Sequence, residues 1–204
     1  MQGSNKGYVA VFGKDEFEHL PIILWGWMRN LEMQVINHGF VPRVLGVLKR
    51  IPIIRKYIER SIKQHKIYLG HYKGLWFEMS AESTDVTIEF YNKIIKKNNK
   101  IISYYNRILN TNKFEAYIKK EISMHALLML KQLHIIRLSP LLIESHILIN
   151  KTPINNFIVQ YLEKKYGVNY KIKWISLRWS AFSLCIYYVW LFAEVFKRGI
   201  VFNK

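Results

Sequence analysis

The sequence predicts an α/β protein: a short parallel sheet with flanking helices, a helical-hairpin insertion and a C-terminal apolar helix. Three observations predict it. Short apolar runs with strand character recur between helix-length segments. A long central stretch keeps the 3.6-residue period of paired helices, and the chain closes on an uncharged aromatic run. A mainly α arrangement is the alternative, because period alone does not separate a short buried strand from a buried helix.

Taken in order, Tyr8 to Phe12 (YVAVF) reads as a buried strand closed by Gly13. Glu16 to Leu31 has helix length with Pro21 in its first turns, and Met33 to Ile36 is a second strand. Pro42 sits where a first helical residue belongs and opens a basic helix that Pro52 kinks or divides. Ile67 to Met79 reads as a β-hairpin around Lys73-Gly74. A helix capped by Ser83 or Thr84 follows, with Ile88, Tyr91, Ile94, Ile95, Ile102, Tyr105 and Leu109 near helical spacing. Asn112 and Glu115 have capping-box spacing for a second helix that Ser139-Pro140 closes, so 84–137 forms an antiparallel pair. Ile143 to Ile149 is a further strand, and Thr152-Pro153 starts a helix that Gly167 stops. Val168, Tyr170, Ile172 and Trp174 alternate with polar residues, as a half-exposed strand requires. Two regions result: a basic α/β region over 1–170 and an apolar, aromatic, membrane-contacting segment over 171–204.

The chain of 204 residues is long enough for one good-sized core, and its 50% hydrophobic content excludes general disorder. Lys and Arg total 31 against 14 Asp and Glu, a formal charge of +17 that favours anionic partners: nucleic acid, acidic lipid or phosphorylated substrates. The single cysteine, Cys185, excludes an intramolecular disulfide and suits a reducing compartment. The first twenty residues carry Lys14, Asp15, Glu16 and Glu18 and no continuous apolar core, so no secretory signal is expected. Abundant Ile, Lys and Asn match the codon bias of an AT-rich genome.

No residue carries a catalytic assignment. Neither a GxxxxGK[ST] loop nor a GxGxxG fingerprint is present, and the seven histidines show no close metal-ligand spacing. Asp15 and Asp85 are the only aspartates, which excludes a local Asp-x-Asp motif for a metal-bound nucleotide diphosphate. Asp15, Glu16, Glu18 and His19 hold the groups for acid–base work, yet acidic residues in a first helical turn also serve the helix dipole. Glu78 and Glu82 fit either a pocket at a strand end or helix capping. No cofactor and no metal are called for.

Basic residues are the stronger signal. Arg43, Lys49, Arg50, Arg55, Lys56, Arg60, Lys63, Lys66 and Lys73 face only Glu59, and a second cluster comprises Lys93, Lys96, Lys97, Lys100 and Arg107. The first cluster shares its helix with Val44, Leu45, Leu48, Ile51 and Ile54, a basic amphipathic pattern suited to a membrane surface. Arg43, Lys49, Arg50, Arg55, Lys56, Arg60, Lys197 and Arg198 are the expected anion contacts. Tyr68, Tyr72, Trp76 and Phe77 interleave with Lys66 and Lys73, the ingredients of a base-stacking platform, so a non-catalytic nucleic-acid-binding module is the alternative function. Trp179 to Ala193 (WSAFSLCIYYVWLFA) runs without a charge between cationic flanks. Fifteen helical residues reach about 22 Å, short of the ~30 Å hydrocarbon layer. Ser176, Ser180, Ser183 and Tyr187 give the segment a wetter side. The expectation is a helix lying on or dipping into the leaflet through Trp174, Trp179, Phe182, Tyr188, Trp190 and Phe192, with a packed core helix as the other reading.

Tyr104 to Ile122 (YYNRILNTNKFEAYIKKEI), Phe77-Glu78-Met79-Ser80 and Phe196 to Phe202 (FKRGIVF) together resemble segments of bacterial surface-carbohydrate (capsule or lipopolysaccharide) biosynthesis proteins, which are often glycosyltransferase-like. The resemblance covers about a third of the chain. It implies a fragment or N-terminal region of a glycosyltransferase that uses a nucleotide-sugar and a lipid-linked glycan. It also implies a peripheral or monotopic position on the cytoplasmic face of the inner membrane. The chain departs from that pattern in lacking a glycine-rich nucleotide loop and paired aspartates.

Overall fold

The computed structural model describes residues 7–14, 21–23, 25–26, 28–37, 50, 52–66, 73–108, 110 and 113–176. They form an α/β fold around a five-stranded sheet, all of whose pairings are parallel. Strands β1 (Tyr8–Ala10), β2 (Met33–Asn37) and β3 (Ile62–Lys66) step outward in one direction. Strands β4 (His146–Asn150) and β5 (Ile172–Ile175) then add to the other side of β1, giving the order β3-β2-β1-β4-β5.

Parallel neighbours need crossovers, and the helices supply them. Helix α1 (Pro52–Ser61) leads into β3. Between β3 and β4 run α2 (Lys73–Phe90), a π-helical turn (Tyr91–Ile95), a 3-10 turn (Lys96–Asn98), α3 (Asn99–Ile108) and the long α4 (Phe114–Leu138). A single helical turn, α5 (Pro140–Ile143), enters β4, and α6 (Pro153–Tyr166) joins β4 to β5. Helical turns also occur within 21–28, between β1 and β2.

Alternation along each strand splits the core in two. Val9, Val11, Ile36, Ile147 and Ile149 meet Met129, Leu130, Leu133 and Ile136 of α4 and Ile158, Val159 and Leu162 of α6. Ala10, Phe12, Met33, Val35 and Leu148 face the other way, onto Ile22, Ile23 and Trp25. A sheet covered on both faces explains why β4 reads as an unbroken apolar run rather than an alternating one.

The helical pair is antiparallel. Glu82 of α2 meets His134 late in α4, whereas Tyr91 lies under Lys119 early in it. Its start differs from the sequence expectation, because 73–79 belongs to α2 and not to a β-hairpin. Buried Met79, Glu82, Ser83, Val86, Thr87 and Phe90 set a helical stripe that outweighs the weak Lys73-Gly74 turn. Ser83 and Thr84 accordingly sit inside the helix, where both hydroxyls donate back to the Ser80 carbonyl at 2.8 and 3.1 Å instead of capping an end. The expected capping box at Asn112 and Glu115 is not how α4 begins: its N-cap is Lys113, with no side-chain cap bond.

Other boundaries moved by a few residues. The expected strand from Ile143 starts at His146, because Pro140 opens a helical turn first. The expected strand at 168–174 narrows to Ile172–Ile175, after Gly167 ends α6 at φ 63° and Tyr170 turns into the core. That strand holds Trp174 and Ile175 in the sheet, so an apolar helix reaching back to Trp174 does not form. Helix α6 matches its sequence signals closely, with Thr152 as N-cap and Pro153 in the first turn.

Candidate functional site

In an open parallel sheet, the crevice outside the carboxyl ends of the strands opens where the strand order reverses. Here that point lies between β1 and β4, and the chain leaving β1 builds its wall. Val11 still donates to the Leu148 carbonyl at 3.0 Å. One residue on, the backbone leaves the sheet and a side chain substitutes for a strand. The Phe12 N–H donates to Gln132 Oε1 at 3.1 Å, and Gln132 Nε2 donates to the Phe12 carbonyl at 2.6 Å. Gln132 is fully buried on α4, and its amide satisfies both polar groups of that residue.

Gly13 then passes against His125. A β-carbon there would lie 2.0 Å from His125 Cε1 and within 2.7 Å of both ring nitrogens, so only glycine fits. The imidazole is tied on both sides. Its Nδ1 accepts the Lys14 N–H at 3.2 Å, which places the proton on Nε2, and Nε2 donates to Asn155 Oδ1 at 2.7 Å. Asn155 is 1% exposed; its Nδ2 donates to the Asn150 carbonyl at 3.0 Å and its backbone N–H donates to Thr152 Oγ1 at 3.2 Å. A neutral histidine therefore joins the β1 exit to the end of β4 and the start of α6. At the mouth, the half-exposed Lys14 ammonium pairs with Glu121 of α4.

A second polar cluster lies nine residues further along α4, about 13 Å from His125 toward the amino ends of the strands. Glu82, 2% exposed, receives His134 Nε2 at 2.6 Å, Lys165 Nζ at 2.9 Å and the Tyr166 hydroxyl. Burial alone would raise the Glu82 carboxyl, but the hydrogen bonds from His134, Tyr166 and Lys165 outweigh it and hold it at about 2. Burial and the Glu82 carboxylate together push the Tyr166 phenol up to about 12. For Lys165, the attraction to Glu82 overcomes burial and raises the ammonium. Arg137 lies 4.0 Å over the Tyr166 ring and bonds His134 Nδ1 at 3.2 Å. This cluster clamps α2, α4 and α6 together at the end of the sheet away from the crevice.

The structure disperses the residues singled out by sequence. Arg50, Arg55, Lys56 and Arg60 are exposed on and before α1, and Arg55 pairs with Glu59 at 2.8 Å. Lys93, Lys96, Lys97, Lys100 and Arg107 are exposed along the outer end of the helical pair. Trp174 is partly buried in β5 against the apolar core. Glu82 does belong to a polar site, although to the clamp and not to a strand-end pocket, and Glu78 is exposed on α2. The stacking platform is not assembled as a hairpin, since Lys73, Trp76 and Phe77 are all in α2. Arg43, Lys49, Tyr68, Tyr72, Trp179, Phe182, Tyr188, Trp190, Phe192, Lys197 and Arg198 lie outside the described residues, as do Asp15, Glu16, Glu18 and His19.

His125, Gln132 and Asn155 were not singled out by sequence, and Gly13 only as the close of the first strand. One signal was present: His125 and Gln132 are seven apart and share the inward face of α4 with Met129, polar groups on an apolar stripe. Among the described residues no group of three His, Cys, Asp or Glu is placed to hold a metal, and no helix is long and apolar enough to cross a membrane. No protein-family model, curated protein or solved structure matches the chain.

Proposed function

We propose that the chain is a glycosyltransferase-like domain of bacterial surface-polysaccharide assembly, which takes a nucleotide-sugar in the β1/β4 crevice and works on a lipid-linked acceptor at the cytoplasmic face of the inner membrane. The observation that carries the reading is the reversal of strand order between β1 and β4, where Gly13 and Lys14 leave β1 beside the His125–Asn155 tie at the start of α6. A helix start and a nearby cation are what a pyrophosphate group selects; Pro153 has no N–H and Thr152 already accepts the Asn155 N–H, so the helix dipole and the Lys14 charge carry the attraction here. In this role α6 orients the diphosphate and Lys14 exchanges Glu121 for a phosphate oxygen. His125 is a positioning residue: with both ring nitrogens engaged, it holds the wall and leaves proton transfer to other groups. The carbohydrate part of the reading rests on the sequence resemblance, since one sheet architecture hosts many chemistries.

Thermal unfolding of the full chain with uridine, guanosine, adenosine and cytidine diphosphate-sugars tests it. One of them at a hundred times its Kd raises stability by about 2.7 kcal/mol. The Lys14→Ala variant, with an unchanged melting temperature alone, loses most of that gain. Absence of stabilisation by every donor at millimolar concentration overturns the reading.

A further inference from the structure

We infer that the outer end of the helical pair, from the π-helical turn through α3 to the first turns of α4, docks on an anionic lipid bilayer. Residues 89–120 carry eight Lys and Arg against two Glu, of which Glu89 pairs with Lys93 at 3.1 Å and Glu115 with Lys119 at 2.7 Å. Among the described side chains of α3, Lys100, Ser103, Tyr104, Arg107 and Ile108 are exposed, one stripe at helical spacing. Ile102 points the other way, into a small core with Phe90, Tyr91 and Ile122. Lys113, Ala116, Tyr117 and Lys120 repeat the pattern at the start of α4. Ile94, Tyr104, Ile108 and Tyr117 are each at least 42% exposed among these cations.

That mixture selects the partner. Cations alone would suit any polyanion, but exposed isoleucines gain nothing from a phosphate backbone and gain burial at the headgroup–acyl boundary. Tyrosine belongs at the same depth.

The position on the fold supports the same partner. Residues of α4 fall in number along the β1 exit, with Gln132 at Phe12, His125 at Lys14, and Glu121 at the Lys14 ammonium. The helix therefore climbs past the carboxyl edge of the sheet, and Phe114 stands about 10 Å beyond Glu121. The basic end overhangs the β1/β4 crevice, so a bilayer bound to it lies on the crevice side. The inference rests on the membrane half of the proposed function and leaves the nucleotide half untouched.

The test uses the full chain with vesicles of phosphatidylcholine, with and without phosphatidylglycerol. An environment-sensitive fluorophore is placed at Ile108→Cys, or at Lys164→Cys near the end of α6, in a Cys185→Ser background. Phosphatidylglycerol vesicles should shift emission to the blue from position 108 and leave position 164 unchanged. Each basic residue near an anionic leaflet contributes about fivefold to partition, so Lys100→Glu with Arg107→Glu should lower it at least tenfold. Tyr104→Ser with Ile108→Ser should weaken the binding that survives high salt. All four positions are exposed, and unchanged far-UV dichroism of each variant checks the fold. Vesicle binding without a blue shift at 108, equal binding to neutral vesicles, or unchanged partition of the charge-reversal variant overturns the inference. So does failure to bind vesicles with oligonucleotide binding that Lys100→Glu and Arg107→Glu abolish. Nucleotide-sugar stabilisation is measured separately, so loss of vesicle binding with donor binding intact removes this surface and not the proposed activity.

Discussion

Gly13 and His125 make the tightest approach at the crevice, and each is held by what the other lacks. The absent β-carbon leaves room for a ring fixed on both nitrogens, so a methyl group at Gly13 must move either the ring or the β1 exit. Gly13→Ala is expected to cost about 1–3 kcal/mol in urea unfolding, the range for overpacking a tight interior. In a His125→Ala background most of that penalty should vanish, because the clashing atoms are gone. Glu82 makes a different kind of contribution. Its folded pKa of about 2 lies below the ordinary 4.5, so its stabilisation is present above pH 4.5 and is lost as pH falls toward 2. A shift of that size corresponds to on the order of 3 kcal/mol. Glu82→Gln should flatten the acid limb of the stability–pH curve between those values, and an unchanged acid limb would remove Glu82 from the clamp.

At the scale of elements, α6 has its ends fixed by two local devices and its middle by packing. Thr152 caps the first turn through the Asn155 N–H, and Gly167 turns out of the last at φ 63° with open space around it. Thr152→Ala and Gly167→Ala should each lower stability by about 1 kcal/mol in thermal or urea unfolding. The Thr152 change also loosens Asn155, which links the cap to the crevice. Both signals were legible in the sequence because cap chemistry is local. The start of α2 was not legible from Lys73-Gly74: the helix is decided by burial of Met79, Val86 and Phe90 against distant partners. Asn112 and Glu115 misled for the opposite reason, offering a local start one residue early: the N-cap of α4 is Lys113, and Asn112 lies outside the described residues.

Across the whole molecule, the sheet class was readable from runs such as YVAVF and HILIN, which are apolar enough to be covered on both faces. Strand order was not, because nothing near β1 states that its second neighbour arrives more than a hundred residues later. The crevice shares that limit. Lys14 and His125 are 111 positions apart, and Phe12 and Gln132 are 120 apart, so their chemistry exists only after α4 has docked. The basic surface needed no such assembly, since charge excess is additive along the chain, although its overhang above the crevice follows from the direction of α4. A long insertion before β4 also implies that β1–β4 pairing forms late, as non-local contacts do.

The central claim, that the β1/β4 crevice is the ligand site, is tested most directly by backbone amide NMR of the full chain titrated with nucleoside diphosphate-sugars. Ligand in the crevice should give saturable shifts concentrated at Gly13, Lys14 and the Thr152–Asn155 turn, with the Glu82 clamp unmoved. Saturable shifts centred elsewhere, or none with any donor, would contradict it.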